Sequence, residues 1–228
     1  MQSVPSRTHA VLGALLALLA ALAGGAYWIY ASLDHHVARA LREWGPEVAG
    51  VAVTLDGTNI KRTDGRGLLR GLAVANPPGF PAASALRADE VEVEIDVASL
   101  GRDVIVVRTL TLIAPEIRLD TGPAGSNLEA IRRNIERHVG QFVPGKSALP
   151  AKRLLIESLR LRDARIVLPV RAAGGEAATA TLQLHLRDIG KARGGAFPGE
   201  IAREIWTPLA QSVALSAVDT ESAAARGP

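Results

Sequence analysis

The chain has no cysteine, which removes disulfide frameworks, thiolate metal sites and cysteine nucleophiles and leaves the compartment open. It also lacks the G-x-S-x-G and H-E-x-x-H patterns of serine hydrolases and zinc peptidases. Charge of one sign is missing too: 26 Lys and Arg stand against 23 Asp and Glu, interleaved through most of the 228 residues, for a net charge of +3. That balance describes a solvated surface, with no block of charge for nucleic acid. Aromatic residues make up only 4%, and both tyrosines stand beside one of the three tryptophans, at Tyr27, Trp28 and Tyr30.

That cluster closes the one long apolar run, Ala10 to Leu33, which holds no charged residue. Roughly 24 residues at ~1.5 Å each reach about 36 Å, enough to cross a bilayer with some tilt. A signal peptide would turn polar and small before its cleavage site, as Ala21-Leu22-Ala23 begins to do, but the run stays apolar and ends in a headgroup-type aromatic belt. The expectation is an uncleaved anchor after a short tail, residues 1–9. Arg7 before the span and Arg39 and Arg42 after it, beside Asp34 and Glu43, leave orientation to the signal-anchor arrangement, which puts the remaining chain outside the cytoplasm.

Residues 34–46 read as a short stalk helix, residues 47–215 as a β-rich domain and residues 216–228 as a frayed polar tail. Val91, Val93 and Ile95 alternate with Glu92, Glu94 and Asp96, and Leu182, Leu184 and Leu186 alternate with Thr181, Gln183, His185 and Arg187. Such strands have one dry and one wet face, as an antiparallel sheet open to water on one side requires. Asp56-Gly57 and Asp64-Gly65 supply turns. RTLTLIAPEIRL, from Arg108, repeats as ESLRLRDARIVL, from Glu157, at an offset of 49, matching Leu110, Leu112, Ile117 and Leu119 to Leu159, Leu161, Ile166 and Leu168. In both copies the apolar positions change parity midway, which demands a bend or bulge.

Between the copies, Ser126 and Glu129 form a capping box for a helix with Leu128, Ile131, Ile135, Val139 and Phe142 on one face, which Gly140 can end. A second helix is expected from about Pro198 to Leu215, striped by Ile201, Ile205, Leu209 and Val213, with Pro208 as a kink.

GQFVPGKS, Gly140 to Ser147, fits the phosphate-binding pattern G-x-x-x-x-G-K-[ST] letter for letter. That motif needs a buried strand before it and a helix beginning at the Gly-Lys-Ser. Here a capped helix precedes it, and Pro150 follows beyond the first turn of any helix begun at Lys146, where it would remove a hydrogen bond and clash with the preceding turn. The stretch therefore reads as a helix end and an irregular connection, and no nucleotide is expected. His35-His36 and the outward His138 and His185 lack metal-ligand spacing, and Glu92, Glu94 and Asp96 read as a solvated strand face. No cofactor, metal or catalytic set is expected.

Taken together, LLRGLAVANPPGF, LRADEVEVEIDVASL, DVIVVRTLTLIAPEIRLD, GSNLEAIRRNI and LQLHLRDIGK resemble the short members of the AsmA-like family of bacterial envelope proteins, over roughly Val48 to Val213. The resemblance implies a non-enzymatic, single-pass inner-membrane protein with its bulk in the periplasm, linked to outer-membrane biogenesis and phospholipid passage. It implies a mostly β fold with accessory helices, whose curved antiparallel sheet forms an apolar groove. The dry-face residues Val91, Val93, Ile95, Leu110, Leu112, Leu159, Leu161, Leu182, Leu184 and Leu186 would line it. The partners implied are the bilayer through the anchor, phospholipid, and a larger envelope protein or another copy. About eight strands at ~4.8 Å would make a groove of roughly 40 Å, short of a bridge across the envelope.

The competing expectation is a structural or adaptor domain, resembling the Asn-Pro strands of LEA-type sandwiches at Asn76 to Phe80, whose helices close the core completely. Charge separates the two. In an open groove Val93→Glu and Leu184→Glu would leave the fold intact, whereas in a closed core they would unfold it.

Overall fold

The computed structural model describes residues 33–61, 63–123, 125–143, 152–171 and 177–226. Helix α1 (Leu33–Ala49) leads into β1 (Val53–Thr54), β2 (Gly57–Ile60), β3 (Arg66–Ala75), β4 (Ser84–Ile95), β5 (Val104–Ile113) and β6 (Glu116–Arg118). The small ribbon β7 (Thr121–Gly122) and β8 (Gly125–Ser126) then introduces α2 (Asn127–Gln141), followed by β9 (Arg153–Arg171), β10 (Ala177–Ile189) and α3 (Pro198–Arg226). Strand exceeds helix, and the fold is mostly β with a curved sheet.

The sheet is mixed and not antiparallel throughout. Its order is β1-β3-β4-β5-β9-β10, with β2 also on β3, and β6 continuing β5 between β4 and β9. The repeat explains the mixing. Leu110 pairs with Leu159, Leu112 with Leu161 and Ile117 with Ile166, so the 49-residue offset is the register of a parallel ladder. Parallel neighbours need a long crossover, and α2 lies in the chain between them. Because β1 shares a level with β2 and β5 with β6, the eight strands stand six across, and the sheet is about 24 Å wide and not 40 Å.

The parity change expected in each repeat is a crease that crosses the sheet. Ala114 (φ 44°) and Asp163 (φ 56°) lie side by side, tied by Ala114 N–H to Arg162 O and Arg165 N–H to Pro115 O, both 2.8 Å. Gly71 (φ 64°) makes the same break in β3, between the pairs Arg70–Glu90 and Leu72–Ala88, and β10 shifts register between Leu182 and Leu184. A Cβ on Gly71 would sit 1.9 Å from Asp56 Oδ2. Asp56-Gly57 is accordingly not a hairpin turn: β1 and β2 run along the same strand on either side of it, whereas Asp64-Gly65 does turn β2 into β3. Left-handed backbone costs an L-residue about 1–2 kcal/mol, and glycine returns part of that in unfolded-chain entropy. Ala114→Gly is thus expected to raise stability slightly, by up to about 1 kcal/mol, read as a higher urea midpoint with unchanged slope.

The three helices cover the dry face. Helix α1 packs on β1 and β2, α3 on β9 and β10, and α2 lies against both α1 and α3. Ser126 caps α2, its hydroxyl accepting from Glu129 N–H at 3.2 Å, and Leu128, Ile131 and Ile135 are fully buried beneath it. Trp206 Nε1 donates to Leu128 O at 2.9 Å and Asn134 Nδ2 to Ala49 O at 3.1 Å, joining α2 to its neighbours.

Three boundaries differ from expectation. Residues 34–46 are not a separate stalk, because α1 runs through Gly45-Pro46 and buries Val48 and Ala49 in the common core. Gly140 does not end α2, which continues to Gln141 and is capped at Phe142. The tail from Ser216 is helical as far as Arg226, since Ala217 extends the buried stripe of Ile201, Leu209 and Val213, and alanine is the best helix former.

Candidate functional site

The ten dry-face residues come together on one side of the sheet, as alternation requires, but not in an open groove. Val91, Val93, Ile95, Leu112, Leu159, Leu161 and Leu182 are buried in the central cluster, and Leu110, Leu184 and Leu186 are partly buried against it. Ile201, Trp206, Leu209 and Val213 of α3 and Leu128, Ile131 and Ile135 of α2 belong to the same cluster, so the chain's own helices occupy the concavity. Sequence patterning marks a face as dry without saying what dries it.

Two segments of the resemblance, Asn-Pro-Pro-Gly-Phe and Gly-Ser-Asn-Leu, meet in one hydrogen-bond network. Asn127 is fully buried; its Nδ2 donates to Asn76 Oδ1 at 2.7 Å and Arg118 O at 2.8 Å, and its Oδ1 accepts from Asp120 N–H at 3.0 Å. Asn76 Nδ2 in turn donates to Asp120 Oδ2 at 2.7 Å and Ala82 O at 3.0 Å. Both N–H groups and the oxygen of each amide are engaged, so the network holds the loop after β3 to the start of α2.

The wet face is charged in an ordered way. Arg66 pairs with Glu94, Arg108 with Glu94 and Asp96, and Arg118 and Arg165 with Glu116. Burial pushes the Glu116 carboxyl up, but hydrogen bonds from Arg165 and Arg118 and their charges outweigh it and hold the group below its ordinary value. On β9 and β10, His185 Nε2 lies 3.0 Å from Ser158 Oγ and 3.5 Å from Arg160 Nε. Loss of hydration, then the charges of Arg187 and Arg160, lower the His185 pKa. Among the described residues no carboxylate hydrogen-bonds to His185. These wet-face neighbours were not recognised in the sequence; of them, only Glu116 and Arg165 are contained in the offset of 49 taken as a pairing register.

A half-open cavity of about 210 Å³ lies between the end of α2 and the start of α3, lined by Val139, Phe142, Phe197, Gly199 and Glu200. His138 does not point outward as expected: its Nε2 is buried nearby with no hydrogen-bond partner among the described residues, and its ring lies against Gly199, where a Cβ would meet Cδ2 at 2.8 Å. The ring fills a helix crossing.

A helix, not a strand, leads into the nucleotide-like motif. Gly140 and Gln141 are the last residues of a helix, where a P-loop needs a strand, and Lys146, Ser147 and Pro150 lie outside the described residues. No group of His, Asp and Glu able to hold a metal occurs among the described residues. The apolar run, Tyr27, Trp28 and Tyr30 also lie outside the described residues, and no described helix is long and apolar enough to cross a membrane. The side chains of His35 and His36 are outside the description as well.

Compared with known proteins, the chain matches no family model and no curated protein.

Proposed function

We propose that the chain is a non-enzymatic, AsmA-like envelope protein, held at the inner membrane by its N-terminal apolar run, whose periplasmic domain is a structural adaptor presenting a rigid polar sheet. One observation carries this: the face that would hold lipid is filled by α2 and α3, while the opposite face is exposed and carries ordered charge. The apolar run ends in the sequence at Leu33, and α1, which follows, is part of the core, so the anchor and the adaptor would be close neighbours in the chain.

A second reading, lipid handling, is favoured by Leu184 and Leu186, which remain only partly buried on the edge strand β10. A lipid chain would enter there by displacing α3. Photoactivatable phospholipid in inner-membrane vesicles holding the full chain separates the two. The adaptor reading expects label in residues 10–33 and none in β9, β10 or α3; label in those elements would replace it with the lipid reading. Absence of label from residues 10–33 would remove the anchor.

A further inference from the structure

The wet face of the sheet carries charges that the chain itself does not answer. Cross-strand register arranges the face in rungs: Leu68, Glu92, Thr111, Arg160 and His185 form one, and Arg70, Glu90, Ile113 and Arg162 form the next. Arg66, Arg108, Arg118 and Arg165 of this face are paired with Glu94, Asp96 and Glu116, whereas Arg70 on β3 and Arg187 on β10, outside the central columns, are exposed and make no ion pair among the described residues. Glu90, Glu92, Arg160 and Arg162 are exposed and make no ion pair among the described residues. The two acids stand on β4, the two bases on β9, and the neutral Thr111 and Ile113 of β5 lie between them. Strand β5 has β3 and β4 on one side and β9 and β10 on the other, so the acidic and basic columns flank a central line.

The two central columns are self-complementary. A two-fold axis lying over β5 and parallel to it turns one sheet face down on another, placing β4 of each copy over β9 of its partner without shifting along the strands. Since Glu92 and Arg160 share a rung, and Glu90 and Arg162 share the next, each acid then meets a base in both directions. We propose that this face pairs two copies of the chain, wet face to wet face, through Glu90–Arg162 and Glu92–Arg160 contacts made twice. The same axis sets Arg66 of β3 over Arg187 on β10 of the other copy, and the Glu94 that pairs with Arg66 limits that repulsion. Exposed ion pairs are individually weak and screened by salt, so the pairing specifies register and partner and is favoured where copies share a membrane surface. The inference stands on register and charge, and is independent of whether the dry face ever takes lipid.

The absence of cysteine makes a direct test available. Ile113→Cys puts one thiol per copy beside the axis, and a short bis-maleimide added to membranes holding the full chain at low ionic strength is expected to give a covalent dimer. Added to this background, Glu90→Arg with Glu92→Arg, or Arg160→Glu with Arg162→Glu, should each lower the dimer yield at least tenfold. Co-expressing the two charge-reversed chains under different tags should restore a mixed dimer to the parent's yield. Raising the salt should lower the parent's yield. No dimer from the Ile113→Cys chain, or a yield insensitive to charge reversal, would overturn the proposal, as would a mixed pair that stays monomeric. Loss of the dimer when anionic lipid is added would assign the basic column to lipid and overturn it too.

Discussion

Val93→Glu is expected to unfold the domain. Val93 lies on the dry face between Gly67 of β3 and Leu110 of β5, 7% exposed, beneath the helices. The substitution gives up about 1.5 kcal/mol of apolar burial and places a carboxylate where no cation can reach it. An uncompensated buried charge costs about 3–5 kcal/mol, a large share of the roughly 5–15 kcal/mol that holds a domain together. Burial would raise the folded-state pKa of the new carboxyl. Its destabilising effect is then small below the unfolded value, where both states are protonated, and grows as pH rises through and above it, so the variant should hold structure better near pH 4 than near pH 8. Circular dichroism of the purified full chain across that range reads both effects. Leu184→Glu, on the edge strand and only partly buried, should cost far less because its carboxylate can turn toward water. Native melting of Val93→Glu at pH 8 would reopen the groove.

Replacing Asn127 should be nearly as damaging, although it is a polar residue at a helix start. Asn127→Leu is close in volume but strands Asn76 Oδ1, Arg118 O and Asp120 N–H, three groups that now share one buried amide. Each buried polar group left unpaired costs about 1–3 kcal/mol, and with partial relaxation the sum is expected near 3–5 kcal/mol. Asn127→Asp keeps the shape but turns an oxygen toward two acceptors, so it should be as harmful at neutral pH. It should recover partly in acid, where the protonated carboxyl can donate once. Asn76→Ala in the same background should add little, since the two residues act as a unit. Urea midpoints of the two single variants and the double variant test this, and fully additive losses would show that the network is not one.

Both results turn on what lies above the sheet, which was the part least legible in advance. Strand type, the dry and wet faces of β4 and β10, the Ser126 cap and the stripe of α2 were all readable, because periods of 2 and 3.6 are local properties of the backbone. The bends in the repeat were readable for the same reason, as a change of parity that a flat strand cannot hold, and Ala114 and Asp163 supply them. Other local signals misled. The Pro46 that suggested the end of a stalk sits inside α1, and the small polar residues after Leu215 extend α3, because contacts from elsewhere in the chain outweigh weak local preference.

The repeat shows the division most clearly. By itself the sequence determined that two segments 49 residues apart are alike, that each has an apolar side and a break, and that a capped amphipathic helix separates them. Only the tertiary structure decided that these segments lie parallel and in register, so that Glu92, Thr111 and Arg160 share a rung, and that the helices fold back over the apolar side instead of leaving it to a ligand. The physical reason is that alternation encodes burial but not its agent: a lipid chain, a partner and Leu128, Ile131 and Trp206 of the same molecule satisfy a dry face equally well. Which of them does so depends on contacts between residues far apart in the chain.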